Sequence, residues 1–241
     1  MNILHIISNM DPETGGVSQA VSTMIKGLSA LKTDNAVVCL NRPDSPFLKQ
    51  MEFPVFALGE GKTAWNFNNR LPRWLKANLV RYDAAILHGL WQYQTYALLN
   101  SFRHTDRTDL FVMPHGMLDP YFQRAPERKL KALRNRLVWH LIEQRVFDRA
   151  NGVLFTCETE MLLARETFKR YRPRREWVVG LGVGAPPPSD ETALNEFLSA
   201  FPQLSGPGYL LYLGRIHPKK GIDMLIDAYL KLKREGRVEL P

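Results

Sequence analysis

The sequence predicts an α/β fold built on a parallel sheet covered on both faces, and three observations point to it. Short apolar runs alternate with amphipathic helical stretches along most of the chain. The runs are continuous rather than alternating in polarity, as strands buried on both faces require. Several runs also end on glycine or on a polar residue beside one: Gly15–Gly16, His88–Gly89, His115–Gly116 and Arg215 each stand just after such a run. Ligands of open parallel sheets bind beyond the carboxyl ends of the strands, so these four positions mark a site.

The elements follow in order. Ile3–Ser8 is an apolar strand, and the loop Asn9–Gly16 leads into a helix whose Val17, Val21, Met24, Ile25, Leu28 and Leu31 share one face. Ala36–Leu40 and Pro54–Leu58 are short strands, and Leu71–Val80 is a helix that tolerates Pro72 in its first turn. Ala84–His88 is a strand, Tyr93–Phe102 a helix and Leu110–Met113 a strand closed by Pro114, His115 and Gly116. A long helix is expected from Pro126 to Arg149, packed on the sheet through Leu130, Leu133, Leu137, Leu141 and Val146. Strand Val153–Cys157, helix Glu158–Phe168 and strand Trp177–Val179 complete the alternation. Ala185–Asp190, with three consecutive prolines, breaks it. Ser189 is placed to cap a helix over Glu191–Ala200, and Tyr209–Leu213 reads as one more strand, followed by an amphipathic helix. The expected organisation is a first domain over 1–184, a connector over 185–207, and the opening of a second domain over 208–241.

Composition narrows the function classes. Of 241 residues 45% are hydrophobic and 23% charged, as in ordinary soluble domains. The chain shows neither a long apolar run nor a basic-then-apolar leader, so a cytoplasmic protein is expected rather than a secreted or membrane-spanning one. Cys39 and Cys157 are expected to be buried thiols without a disulfide or metal role. The net charge of +8 calls for an anionic partner. No helix-turn-helix, zinc-finger or RNP pattern accompanies the basic residues, which argues against nucleic acid. A phosphorylated ligand and an anionic membrane face stay open, with Lys129–Arg149 the segment for the latter.

Each candidate site residue has a plain reading beside the functional one. Gly15 and Gly16 form either a flexible turn or a loop whose bare backbone presents amides to an anion. His115 is either a packed, capping histidine or an active-site group. His88 and Trp91 sit at a strand end where a ligand could lie. Arg215 and Lys220 are solvated charges at a strand–helix junction, or a pair that binds a diphosphate. His5, His104 and His140 are assigned no chemistry. Glu158 and Glu160 suit a helix start better than a paired acid/base site. No GxGxxG follows the first strand, which argues against nicotinamide binding.

Taken together, the Gly15–Gly16 loop, His88-Gly89-Leu90-Trp91, Pro114-His115-Gly116-Met117-Leu118 and Leu213-Gly214-Arg215 with Lys220–Gly221 resemble the retaining, GT-B-fold glycosyltransferases of family 4. The resemblance covers essentially the whole chain. It implies a Rossmann-like amino-terminal domain on the acceptor side and the start of a second Rossmann-like domain for a nucleotide sugar. It further implies that Gly15 and Gly16 approach the donor phosphates, that His115 lies near the reacting sugar, and that Arg215 and Lys220 neutralise the departing diphosphate. His88 and Trp91 would belong to the acceptor side. Expected partners are a nucleotide-diphosphate sugar and a glycan or lipid-linked acceptor, with no cofactor and no metal. Two departures stand out. Gly180-Leu181-Gly182 replaces the family's Pro-Asn-Gly, and the family's Glu-x7-Glu motif would fall beyond Pro241, so the donor domain is expected to be truncated. A non-catalytic glycan- or phosphate-binding module, or one half of a two-chain enzyme, is the alternative. With the donor domain truncated, the apolar helix face over residues 222–230 is expected to pack on the first domain, to meet another chain in self-association, or to stay poorly ordered.

Overall fold

The computed structural model describes residues 1–102, 107–186, 188–206 and 208–237, so His104 lies outside the described residues. The chain divides into two compact units, Met1–Gly184 and Ala185–Pro241.

The first unit is a seven-stranded, wholly parallel sheet in the order β3-β2-β1-β4-β5-β6-β7. Its strands are β1 (Asn2–Ile6), β2 (Asp34–Cys39), β3 (Val55–Ala57), β4 (Ala84–His88), β5 (Asp109–Met113), β6 (Gly152–Phe155) and β7 (Glu176–Val178). The helices of this unit are α1 (Gly16–Ala30), α2 (Arg70–Asn78), α3 (Tyr93–Ser101), α4 (Tyr121–Arg124), α5 (Lys129–Val138), α6 (Gln144–Arg149) and α7 (Glu158–Thr167). This is a Rossmann-like α/β fold, and the strand order reverses between β1 and β4. Pleating separates two cores. Leu4, Ile6, Ala85, Leu87 and Val112 point to the face covered by Leu71 and Leu75 of α2, Ala97–Leu99 of α3, Phe147 of α6 and Ala164 of α7. Ile3, Val37, Cys39 and Ile86 point to the opposite face, against Val21, Met24 and Ile25 of α1. Each fully buried leucine or isoleucine contributes roughly 1.5–3 kcal/mol. Both faces being covered is why the strands are largely apolar, with His5, Asn35 and His88 as buried polar exceptions.

The long helix expected over Pro126–Arg149 is interrupted. Between α5 and α6, Trp139–Glu143 forms a π-helical turn. Leu130, Leu133, Leu137 and Leu141 do not pack on the sheet; they are 85, 57, 57 and 60% exposed. The buried side is instead Ala132, Asn135, Trp139, Glu143 and Val146. Small residues allow close approach there, and the Trp139 ring stacks on Phe168 at 4.5 Å and 6°. Cys39 is buried as expected, but Cys157 is exposed at the start of α7, where its Sγ accepts from the Glu160 N–H.

In the second unit, α8 (Glu191–Ala200) and α9 (Ile222–Arg234) form as the periodicity requires, and neither contains a buried residue. The cap of α8 is Asp190, not Ser189: Oδ1 of Asp190 accepts from the Thr192 and Ala193 amides. The strand expected over Tyr209–Leu213 is not formed among the described residues. A strand needs a neighbour to take its backbone hydrogen bonds, and Leu210, Leu211 and Leu213 stay exposed without one.

Candidate functional site

The site lies at the carboxyl ends of β1, β4 and β5, where the strand order reverses and loops must turn away from the sheet. After β1, the loop is tied down by side-chain amides. Asn41 Oδ1 accepts from the Met10 N–H, and Asn41 Nδ2 donates to Asn9 Oδ1 at 2.7 Å. The loop ends at Gly15, whose φ of +138° only glycine adopts without strain, and α1 starts at Gly16. A β-carbon on Gly16 would meet nothing within 4 Å, so the space above this helix start is open. The first amides of α1 face outward there, an arrangement that suits an anion.

After β4 the chain turns through Gly89 and Trp91, at φ +77° and +72°. A left-handed tryptophan is held by two contacts. Its N–H donates to Glu143 Oε1 at 2.7 Å, and its ring leans on Trp139 and Phe168. Trp91 thus faces the core as much as the site. Glu143 is fully buried, and burial pushes its carboxyl up to about 8, only partly opposed by the Trp91 amide. The Thr95 hydroxyl lies near this carboxyl group outside hydrogen-bond geometry. The sequence carries one signal for Glu143: it follows Trp139 by one helical turn, on the side opposite the leucine stripe.

After β5, His115 and Gly116 are both left-handed, at φ +52° and +76°. Such a conformation costs a non-glycine residue on the order of 1 kcal/mol or more, so something must hold it. Glu160 does so from α7: Oε1 accepts from the Gly116 N–H at 2.6 Å, while Oε2 accepts from the Thr156 N–H at 2.8 Å. Glu160 therefore braces the His115 loop against the end of β6, consistent with its expected place at a helix start. The His115 ring is anchored from below. Its Nε2 lies 3.0 Å from Nδ1 of His88, and Nε2 of His88 lies 3.0 Å from Nδ1 of His5. The His5 and His88 rings stack at 5.2 Å, and His5 Nε2 meets Asn35 Oδ1 at 3.2 Å. His88 is only 1% exposed, so it reaches the site through His115 and not directly. Burial lowers His5 and His115 to about 4 and His88 well below its ordinary value; Glu160 opposes the shift at His115.

Of the site residues expected from the sequence, Gly15, Gly16, His88, Trp91 and His115 are at strand ends of the first unit. His5 escapes a reading of the sequence because a histidine inside a strand looks like filling. Arg215 and Lys220 belong to the second unit, where both are exposed and neither side chain makes an ion pair among the described residues. Lys220 ends a short 3-10 turn whose N–H donates to the His217 carbonyl, and Gly221 at φ +64° redirects the chain into α9. Among the described residues no group of three or more His, Cys, Asp or Glu side chains is arranged to hold a metal ion. No described helix is long and apolar enough to cross a membrane.

Similarity to solved structures is distant. A protein assigned as a UDP-N-acetylglucosamine 2-epimerase of Listeria monocytogenes is 14% identical, with a TM-score of 0.47 over 75% of this chain and 44% of the other. MurG of Acinetobacter baumannii is 14% identical, with a TM-score of 0.39 over 74% and 44%. A UGT transferase of Siraitia grosvenorii, solved with UDP, is 11% identical, with a TM-score of 0.45 over 84% and 56%. The chain spans about half the length of these proteins. No curated protein sequence matches it. The sequence of residues 15–182, most of the chain and the turns at Gly15–Gly16, Gly89–Trp91 and His115–Gly116, matches the glycosyl transferase 4-like domain, and the protein belongs to that family.

Proposed function

We propose that the chain serves in transfer of a sugar, with retention of configuration, from a nucleotide-diphosphate donor to a carbohydrate or lipid-linked acceptor, in a GT-B arrangement and without a metal. The observation that carries this reading is the strained His115–Gly116 turn, braced by Glu160 and His88, within a matched glycosyl transferase 4-like domain. Breaking the bond to the diphosphate builds positive charge on the sugar and negative charge on the leaving group. His115 contacts the sugar or acceptor; the amides at the start of α1 and the cations Arg215 and Lys220 are assigned to phosphate charge. Trp91 shapes the acceptor side, and His88 acts on it through His115.

The outward leucines of α5 support a further part of this reading. Lys131 and Arg134 flank the stripe on one side, Lys129 and Arg136 on the other, all exposed. An apolar strip edged by cations suits the surface of an anionic membrane, where a lipid-linked acceptor would be met from the cytoplasmic side.

Incubating the protein with a panel of nucleotide sugars and acceptors, and measuring release of nucleoside diphosphate together with calorimetric binding, tests the proposal. Diphosphate release that depends on acceptor is expected. Binding of acceptor with no binding of any nucleotide sugar would instead make this a glycan- or phosphate-binding module.

A further inference from the structure

Four side chains stand in line across β2, β1, β4 and the turn after β5: Asn35, His5, His88 and His115, joined at 3.2, 3.0 and 3.0 Å. The direction of the line is settled at its far end. Asn35 Nδ2 donates to the Thr33 carbonyl at 3.1 Å, to the Thr33 hydroxyl at 2.9 Å and to the Ser29 hydroxyl at 3.2 Å. A carbonyl can only accept, so the amide is fixed with Oδ1 toward His5. Oδ1 in turn can only accept, which places the His5 proton on Nε2. A neutral His5 then has a bare Nδ1, and the contact with His88 requires the proton on Nε2 of His88. The same step repeats at His115.

We infer that Asn35, His5 and His88 are positioning residues that fix the tautomer of His115, with the proton on Nε2 and Nδ1 bare, so that His115 meets a substrate hydroxyl as hydrogen-bond acceptor and not as donor. No hydrogen bond to His115 Nδ1 is formed among the described residues. Because burial lowers all three imidazoles, the line keeps a tautomer rather than storing a proton. Only the statement about a substrate hydroxyl rests on the proposed sugar transfer; the tautomer belongs to the free protein.

Two-dimensional 1H–15N spectra of the full chain, labelled with 15N-histidine, read each ring nitrogen directly. At neutral pH, His5, His88 and His115 are each expected with Nε2 protonated and Nδ1 bare; a protonated Nδ1 on His115 overturns the inference. His88→Phe keeps an aromatic ring in the stack and removes both relay nitrogens. His115 is then expected to populate both tautomers; unchanged His115 signals overturn the relay. Should that variant lose its circular dichroism spectrum, Asn35→Leu makes the same test from the other end. It is expected to give a mixed or reversed tautomer at His115, and an unaltered one refutes the coupling. Nucleotide-sugar binding is measured separately by calorimetry. A chain with the stated tautomers and no such binding keeps the relay and sinks the sugar-transfer reading instead; binding that leaves the His115 Nδ1 resonance unmoved refutes its acceptor role.

Discussion

Glu143→Gln isolates the buried carboxyl beneath the Trp91 turn. Burial raises this group from 4.5 to about 8, so between those values the folded chain holds a proton that the unfolded chain has lost. The stability associated with neutral Glu143 is therefore present below pH 4.5 and declines as pH rises toward 8, by about 1.4 kcal/mol per pH unit. The histidine line acts with the opposite sign. His5 and His115 stay neutral down to about 4 and His88 lower still, so their contribution is present above the ordinary value of 6.5 and is lost as pH falls. Cys39, pushed up by burial from 9 to about 11, adds its own loss only at higher pH. Between pH 6.5 and 8 the unfolded histidines finish losing their protons and offset part of the Glu143 loss, so the difference between wild type and Glu143→Gln reports the carboxyl and is expected to shrink by about 1.5–2 kcal/mol across that interval. A glutamine in its place would keep an oxygen for the Trp91 N–H and lose none of this. Urea unfolding followed by tryptophan fluorescence at several pH values measures both proteins. Parallel slopes for the two would refute a buried neutral carboxyl.

Other substitutions separate steric from functional roles. Gly152→Ala places a β-carbon 1.9 Å from the Trp177 ring and should cost about 1–3 kcal/mol in unfolding experiments. Gly16→Ala meets nothing within 4 Å, so its stability should stay within about 0.5 kcal/mol of wild type while calorimetry shows weaker nucleotide-diphosphate binding. Arg215→Ala and Lys220→Ala should each weaken that binding by roughly tenfold to a hundredfold, the worth of a charged hydrogen bond, with wild-type affinity contradicting the assignment. Leu133→Ser with Leu137→Ser should abolish co-sedimentation with anionic vesicles without lowering the unfolding midpoint, and wild-type co-sedimentation should fade as salt is raised. Salt-independent absence of wild-type binding would remove the membrane contact.

Particular residues show how far the sequence could be read. Ala84–His88 was legible to the residue, because a strand buried on both faces has to be apolar along its whole length and ends where polarity and glycine begin. The turn at His115 was legible for a similar reason, with proline before it and glycine after. The leucine stripe of α5 and the π-helical turn after it were not. Periodicity shows that Leu130, Leu133, Leu137 and Leu141 share a side, but not whether the sheet lies there or opposite. The strand expected at Tyr209–Leu213 failed likewise, since an apolar run can only supply half of a ladder.

Local chemistry in the chain alone determined the alternation of strand and helix, the glycine-marked strand ends and the candidacy of His115, since each depends on neighbours a few residues apart. The tertiary structure alone decided that Asn35, His5, His88 and His115 stand in one line, and that Glu143 and Glu160 brace the turns at Trp91 and Gly116. Those contacts join residues far apart in sequence, and hydrogen bonds across strands depend on register and pleat, which no local pattern encodes.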